Sequence, residues 1–372
     1  MGSPPLRPVT LRGLSLLTGA LAVAIVLLLV ELAFRLLAPP TDALPLWLPV
    51  EEARRSERER ILADYVERHA LHQPDRVLFW RNRPGVDVTL RGARVRTNSL
   101  GLRDGEVSAR KADDEFRILV LGESTAFGDE VEQEEIFLEV LEDELDRRSS
   151  ACRISVINAA VTGYSLFQSL QYLELRGLAL EPDLVMIYHG YNDFLPTTFA
   201  AGRSGTREGE SGKTDRERFE ARSQFPANLD LLLSDSSAAW RRLRGRLSAG
   251  PESQLEFKRG KRRRVPGPER VQILAAMRQQ LDAKGVGFVI LIPIYRSFAR
   301  HRDVLLDFAE RTDTPAIDLA VTVPPRPRDR VELFRDDGVH PTPALHTRFA
   351  AVIGRSLLDR APELGLARCF AP

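Results

Sequence analysis

From Phe116 onward, short unbroken apolar runs alternate with longer segments that mix apolar and polar residues. The runs are Arg117–Leu121, Arg153–Ala159, Leu184–Tyr188, Val286–Ile292 and Ala316–Leu319. Several are almost pure Val, Ile and Leu, the pattern of strands covered on both faces. Between and after them, Glu134–Arg147, Ser165–Leu178, Pro268–Ala283 and Phe298–Arg311 read as helices. A last helix opens at Thr342, with a hydroxyl at the N-cap and Pro343 at the first helical position. The alternation predicts an α/β domain over 116–365, a parallel sheet with helices on both faces in three layers.

Upstream the pattern differs. Gly13 to Val30 carries no charged residue, and apolar character continues to Leu37 past Glu31 and Arg35 before Pro39 and Pro40 close it. At helical rise that nearly spans a hydrocarbon core of about 30 Å. The reading is a transmembrane anchor over 13–37; a cleaved signal would resemble it, but the run is long and no clear small-x-small site follows. Arg7 and Arg12 precede the span, whereas Asp42, Glu51 and Glu52 follow it at a distance. The positive-inside rule then leaves residues 1–12 as a cytoplasmic tail and exports the rest, against the pull of Arg54, Arg55, Arg58 and Arg60. The expected location is the cell membrane, single-pass, with the α/β domain on the periplasmic or extracellular side. An N-terminal extension, 38–115, follows. Its Glu51–Ala70 reads as an exposed charged helix, Val77–Val95 as extended pieces, and TNSLGLRDGE, with Asn98, Gly101 and Arg103, as a hairpin or cap without catalytic geometry.

One stretch, 197–264, breaks the rhythm. It is polar, has a helix candidate near Leu229–Leu247, and ends in the basic run Lys258, Arg259, Lys261, Arg262, Arg263 and Arg264. It reads as a solvated, partly disordered surface insertion; a contact for anionic glycan or lipid headgroups is the alternative. The net charge of +1 names no partner and gives no ground for a nucleic-acid ligand. Cys152 begins a strand and Cys369 lies near the C-terminus, so the pair reads as two free thiols; no Cys/His spacing suggests a structural metal.

The chemistry gathers at strand ends. FRILVLGESTAFG places Ser124 in a tight turn after the first strand, where an open parallel sheet presents its ligands. That turn lacks the Gly-Lys-Ser/Thr ending of a P-loop, the G-x-G-x-x-G of a dinucleotide site, and the G-x-S-x-G of an α/β-hydrolase elbow, because Ala126 stands at its last position. Gly163 follows the second strand and Asn192 the third, so the Ser124 N–H, the Gly163 N–H and the Asn192 amide can form a three-donor oxyanion hole. DDGVHPT supplies His340 as base for the serine hydroxyl, with Asp337 three residues before it; Asp336 is the rival partner, disfavoured by the D-x-x-H spacing. His189 flanks the Asn192 turn and could line a substrate pocket or be structural. Asp193 reads as a turn-stabilising residue. His69, His72, His301 and His346 lie outside the motifs.

With Ser124 in GES, Gly163 in NAAVTG, Asn192 in GYND and His340 in DGVHP, the sequence resembles the SGNH (GDSL-type) hydrolase family. The resemblance covers roughly 116–195 and 265–358. It implies a flavodoxin-like parallel sheet, a Ser124–His340–Asp337 triad, and Ser124, Gly163 and Asn192 as oxyanion donors, with no cofactor and no metal. One departure exists: the family usually has Asp before the serine, where this chain has Glu123. The implied function is a membrane-tethered serine esterase acting on an ester of an envelope glycan or a lipid. An envelope O-acyltransferase using the same triad, or an inactive glycan-binding protein, are the alternatives.

Overall fold

Five apolar runs become the strands of one parallel sheet. In chain order they are β5 (Glu115–Gly122), β6 (Arg153–Asn158), β7 (Leu184–Tyr188), β8 (Gly287–Ile292) and β9 (Ala316–Asp318), and their spatial order is β6-β5-β7-β8-β9. The registers are continuous, with Ile118 opposite both Val156 and Leu184, and Gly122 opposite Tyr188. Two earlier antiparallel hairpins, β1 (His72–Asp75) with β2 (Phe79–Asn82) and β3 (Asp87–Leu90) with β4 (Ala93–Arg96), come from the extension. The structure is a computed structural model describing residues 21–23, 25–33, 70–75, 77–108, 110–197, 213–223, 262–297 and 301–370.

The sheet is buried on both faces because its strands alternate two sets of apolar side chains. Ile118 and Val120 of β5 face one core, Leu119 and Leu121 the other. On the first side lie α2 (Phe137–Arg148) and α8 (Pro343–Asp359), which bury Leu141 and Leu145 against Phe349 and Ile353. On the second lie α3 (Leu166–Tyr172), α6 (Gly267–Asp282) and α7 (Arg302–Thr312), through Leu170, Met277 and Phe308. Each helix shows buried residues three or four apart, the stripe a helix needs to close a layer. Four short-range details differ from expectation. The helix at 134 starts later, after a 3-10 turn at Gln133–Glu135 and an extended Ile136. The helix from Ser165 passes into a π turn at Leu173–Gly177. The helix expected from Phe298 starts at Arg302. Thr342 is the N-cap of α8 but does not cap it; its hydroxyl donates to the carbonyls of Glu332 and Leu333.

The thiols are not free. Cys152 and Cys369 form a disulfide across 217 positions, with Cα atoms 4.9 Å apart. The C-terminal turn is no loose tail: Leu366 and Cys369 are buried, and the Cys369 carbonyl accepts the Ser150 and Ala151 N–H groups at 2.9 and 3.1 Å.

The insertion is not solvated throughout either. Among its described residues Thr197, Asp215, Arg218 and Arg264 are buried. One carboxylate serves both cations: Arg264 meets Asp215 at 2.8 Å and Arg218 meets it at 3.2 Å, the pairing that makes such burial tolerable. Leu229–Leu247 lies outside the described residues.

The chain divides into two compact units, Met1–Leu62 with Arg222–Glu256 and Ala63–Ala221 with Phe257–Pro372. In the first, residues 25–33 are helical and expose Leu27, Leu28 and Leu29. The rest of the expected 13–37 span, apart from 21–23, lies outside the described residues, as does 51–69. Among the described residues no helix is long and apolar enough to cross a membrane.

Candidate active site

The carboxyl ends of β5, β6 and β7 are neighbours in the sheet, so the turns after them converge. Gly122 ends β5 with no room for a side chain: a Cβ there would lie 2.6 Å from the Ala126 Cβ. After Glu123 the chain enters the one-turn helix α1 (Ser124–Phe127), which leaves Ser124 half-buried at the sheet edge. Its hydroxyl lies 2.9 Å from His340 Nε2. His340 reaches this point from a turn before α8, a separation of 216 positions.

The other ring nitrogen, Nδ1, is hydrogen-bonded to the Asp337 carboxylate. Asp337 Oδ1 also accepts the N–H groups of Val339 and His340, at 2.8 and 3.0 Å, so the carboxylate is held by its own turn. Burial opposes the Asp337 charge, but the bonds and charge of His340 win and hold its carboxyl well below the usual range. For His340 burial favours the neutral ring, yet Asp337, Asp129 and Glu130 together raise its pKa above the ordinary 6.5. Asp336 is exposed, and among the described residues only its main-chain carbonyl is engaged, by Arg296. The spacing argument for Asp337 thus agrees with the geometry.

The expected oxyanion donors sit at the two adjacent turns. Gly163 has φ +82°, a conformation that side chains rarely adopt, and a Cβ would meet the Trp80 ring at 3.2 Å. Asn192 is buried in α4 (Tyr191–Phe194). Among the described residues the Ser124 N–H, the Gly163 N–H and the Asn192 side-chain amide donate to no protein group.

Glu123 ties the Ser124 turn to the Asn192 turn. Its carboxylate accepts from the Asn192 N–H at 3.0 Å, the Tyr191 N–H at 3.2 Å and the Tyr295 hydroxyl at 2.6 Å. Burial pushes this carboxyl up to about 7, against the pull of those donors. This side chain therefore reaches from the end of β5 to the Asn192 turn that follows the neighbouring β7. Asp193 next door is a buried structural group: Oδ1 accepts the Leu166 N–H at 2.8 Å and Oδ2 lies 3.2 Å from Arg270 Nε.

His189 does not line an open pocket. It is buried with 1% exposure, its Nε2 lies 2.7 Å from Ser169 Oγ, and burial with nearby Arg270 pushes its pKa down to about 3. His301 and His346 are likewise buried and neutral-leaning, pushed down to about 4 and 3.

Several neighbours carried no motif. Asp129 Oδ2 lies 3.9 Å from His340 Nε2, while Oδ1 accepts the Thr162 hydroxyl at 2.8 Å. Glu130 follows with φ +68°, a strained turn. Its surroundings hold it there: Arg103, fully buried, donates to the carbonyls of Gly128 at 2.5 Å and Val131 at 2.7 Å, and Arg335 donates to that of Glu130 at 2.5 Å. Arg103 belongs to the TNSLGLRDGE segment, expected as a hairpin or cap, which clamps the loop that follows Ser124. Its own loop is built by Asn98, whose Oδ1 accepts the Leu100 and Leu102 N–H groups at 2.9 and 3.0 Å. Arg264 closes the other side, donating to the Gly163 carbonyl at 2.9 Å and to Gln168 at 2.8 Å.

Among the described residues one cluster has cation-ligand chemistry: Glu130, Asp337 and His340 bring ligand atoms within 4.8 Å of one another. Both His340 nitrogens are already bonded, so an ion there would compete with the Ser124–His340–Asp337 chain.

A family model described as the GDSL-like Lipase/Acylhydrolase family matches residues 120–348. Among solved structures, the chain is similar to a lipase/acylhydrolase from Enterococcus faecalis, with 17% identity over 66% of this chain and 96% of that one and a TM-score of 0.41. It is also similar to the psychrotrophic esterase EstA from a Pseudoalteromonas species, with 15% identity, 66% and 98% coverage and a TM-score of 0.41. The acetylxylan esterase Axe2 from Geobacillus stearothermophilus matches at 16% identity, 65% and 94% coverage and a TM-score of 0.40. No curated protein matches the chain by sequence.

Proposed function

Because the chain belongs to the GDSL-like lipase/acylhydrolase family, and so is a carboxylic ester hydrolase, we propose that Ser124, His340 and Asp337 are its catalytic triad and that its substrate is an acyl ester on a cell-envelope glycan. The observation that carries the proposal is the unbroken chain from Ser124 Oγ through both His340 nitrogens to Asp337.

In the proposed reaction His340 Nε2 takes the Ser124 proton as Oγ attacks the ester carbonyl. The C–O bond forms, and the carbonyl pair moves onto oxygen, where the Ser124 and Gly163 N–H groups and the Asn192 amide receive it. One such donor is worth roughly 10²–10³ in rate. Collapse breaks the bond to the alcohol, which leaves with the proton from His340. Water, deprotonated by the same ring, then releases the acid from the acyl-enzyme. Asp337 fixes the ring so that Nε2 faces the serine, and stabilises the imidazolium.

The glycan reading is supported by the polarity around the site. Asp129, Glu130, Arg91 and Arg335 surround the triad, with Arg91 3.5 Å from Glu130 and 3.9 Å from Asp129. Such a rim suits hydroxylated ligands better than acyl tails. The envelope location is supported by the apolar 13–37 segment and by the disulfide, since such bonds persist in oxidising compartments. The test is a panel of acetylated polysaccharides and long-chain lipid esters, run on the full chain beside Ser124→Ala. Acid release from the polysaccharides that Ser124→Ala abolishes, with loss of fluorophosphonate labelling, is the expected result. Undiminished labelling refutes the nucleophile; turnover of lipid esters alone refutes the glycan. Acyl transfer to an added sugar in preference to water would make it an acyltransferase.

A further inference from the structure

Trp80 lies on β2, in the extension and outside the residues that the family model matches. Its indole Nε1–H donates to the Thr162 carbonyl oxygen at 3.1 Å. That oxygen belongs to the same peptide unit as the Gly163 N–H. In a planar trans amide the C=O and N–H point in opposite directions. A donor fixed on the oxygen therefore sets the direction in which the N–H points from the far side. It also draws electron density toward the oxygen and makes the N–H a stronger donor, the cooperative effect of linked hydrogen bonds.

The indole is itself held. The Trp80 carbonyl accepts the Tyr164 hydroxyl at 2.6 Å, and the two rings pack edge to face at 5.6 Å. Tyr164 is buried. The indole also stands 3.2 Å from where a Cβ on residue 163 would lie, so it fills the space that the glycine leaves. The Thr162 hydroxyl, bonded to Asp129 at 2.8 Å, fixes the unit from its other end.

We infer that Trp80 is a positioning residue of the oxyanion hole, orienting and polarising the Thr162–Gly163 peptide so that its N–H meets the developing oxyanion. The inference rests on the assignment of Gly163 as a donor. It gives the extension a part in ester cleavage that the four motif blocks do not contain.

The cleanest test replaces Trp80 with β-(3-benzothienyl)alanine, in which sulfur stands for the N–H and the shape is retained; Trp80→Phe is the second variant. The readouts are kcat and KM for an aryl acetate, affinity for a boronic-acid transition-state analogue, and the unfolding midpoint. If polarisation contributes 10–30% of the two to three decades one donor supplies, kcat falls roughly 2- to 8-fold. KM stays unchanged, the analogue weakens by the same factor, and the midpoint of the benzothienyl protein matches wild type. Wild-type kcat in that protein overturns the inference, and so does a loss that tracks the unfolding midpoint alone. Ser124→Ala separates the two layers: Ser124-dependent turnover indifferent to the indole N–H leaves the triad standing and removes only Trp80, whereas turnover independent of Ser124 removes both.

Discussion

Glu123→Gln is the most informative single change. The carboxyl is completely buried, and burial moves it from the ordinary 4.5 to about 7 even though Tyr295, Tyr191 and Asn192 donate to it. A displacement of that size corresponds to about 3 kcal/mol at 1.36 kcal/mol per pH unit. In the unfolded chain the group loses its proton near 4.5; in the folded chain it holds the proton to about 7. Between these values the folded state binds more protons, so stability falls as pH rises. The contribution is complete below 4.5 and gone above about 7. Glutamine cannot ionise and removes this slope. Urea unfolding of both proteins at intervals from pH 4.5 to 8 should show the stability of wild type relative to the variant declining by about 3 kcal/mol. Using the difference cancels Asp104 and Glu142, which burial also raises to about 7. Activity should respond as well. An amide has one acceptor where the carboxylate has two, so one of the Tyr191 and Asn192 turn contacts is lost and kcat should drop by about 10- to 100-fold. A stability difference that is independent of pH would refute the account of Glu123 as a charge-reluctant anchor of the Asn192 turn.

The acid limb of kcat/KM should have its midpoint above 6.5, because the rate needs neutral His340 and Asp337, Asp129 and Glu130 favour its protonated form. Asp337→Asn should lower that midpoint and cut kcat by about 10⁴, Asp129→Asn should lower it by less, and Asp336→Asn should leave the profile as it is; an unmoved midpoint in Asp337→Asn counts against the triad. Reducing the Cys152–Cys369 bond, or replacing both residues with Ser, should lower the unfolding free energy by about 5 kcal/mol, the loop-closure value for so long a loop. Equal urea midpoints for the oxidised and reduced proteins would contradict this.

The parts legible in the sequence were those written locally. Leu184–Tyr188 coincides with its strand, and three of the four motif blocks, those of Ser124, Gly163 and Asn192, follow strand ends where a parallel sheet must present them. Asp337 was readable over Asp336 because a three-residue spacing is a local property of one turn. The unreadable parts depend on contacts between distant positions. Cys369 looked like a tail residue because nothing nearby shows that Leu366 and Cys369 fold back onto the β6 side of the domain. Arg264 looked like part of a basic surface run; only its approach to Asp215 and the Gly163 carbonyl makes its burial affordable. Glu123 looked like a minor departure from a motif, whereas its carboxylate accepts from the Tyr191 and Asn192 N–H groups and the Tyr295 hydroxyl. Arg103 and Trp80 act on loops 25 and 82 positions away, and no periodicity encodes such a reach.

The position of the disulfide in the chain has a consequence for how the molecule is made. Gly163, Asn192, Asp337 and His340 all lie between Cys152 and Cys369, while Ser124 lies before both. During vectorial synthesis the bond cannot close until every residue of the base-bearing half has emerged. A reactive thiol at position 152 therefore marks a molecule whose bond has not closed, and every chain too short to carry His340 is among them. Thiol-specific tagging would sort such immature chains from finished ones without any assay of catalysis.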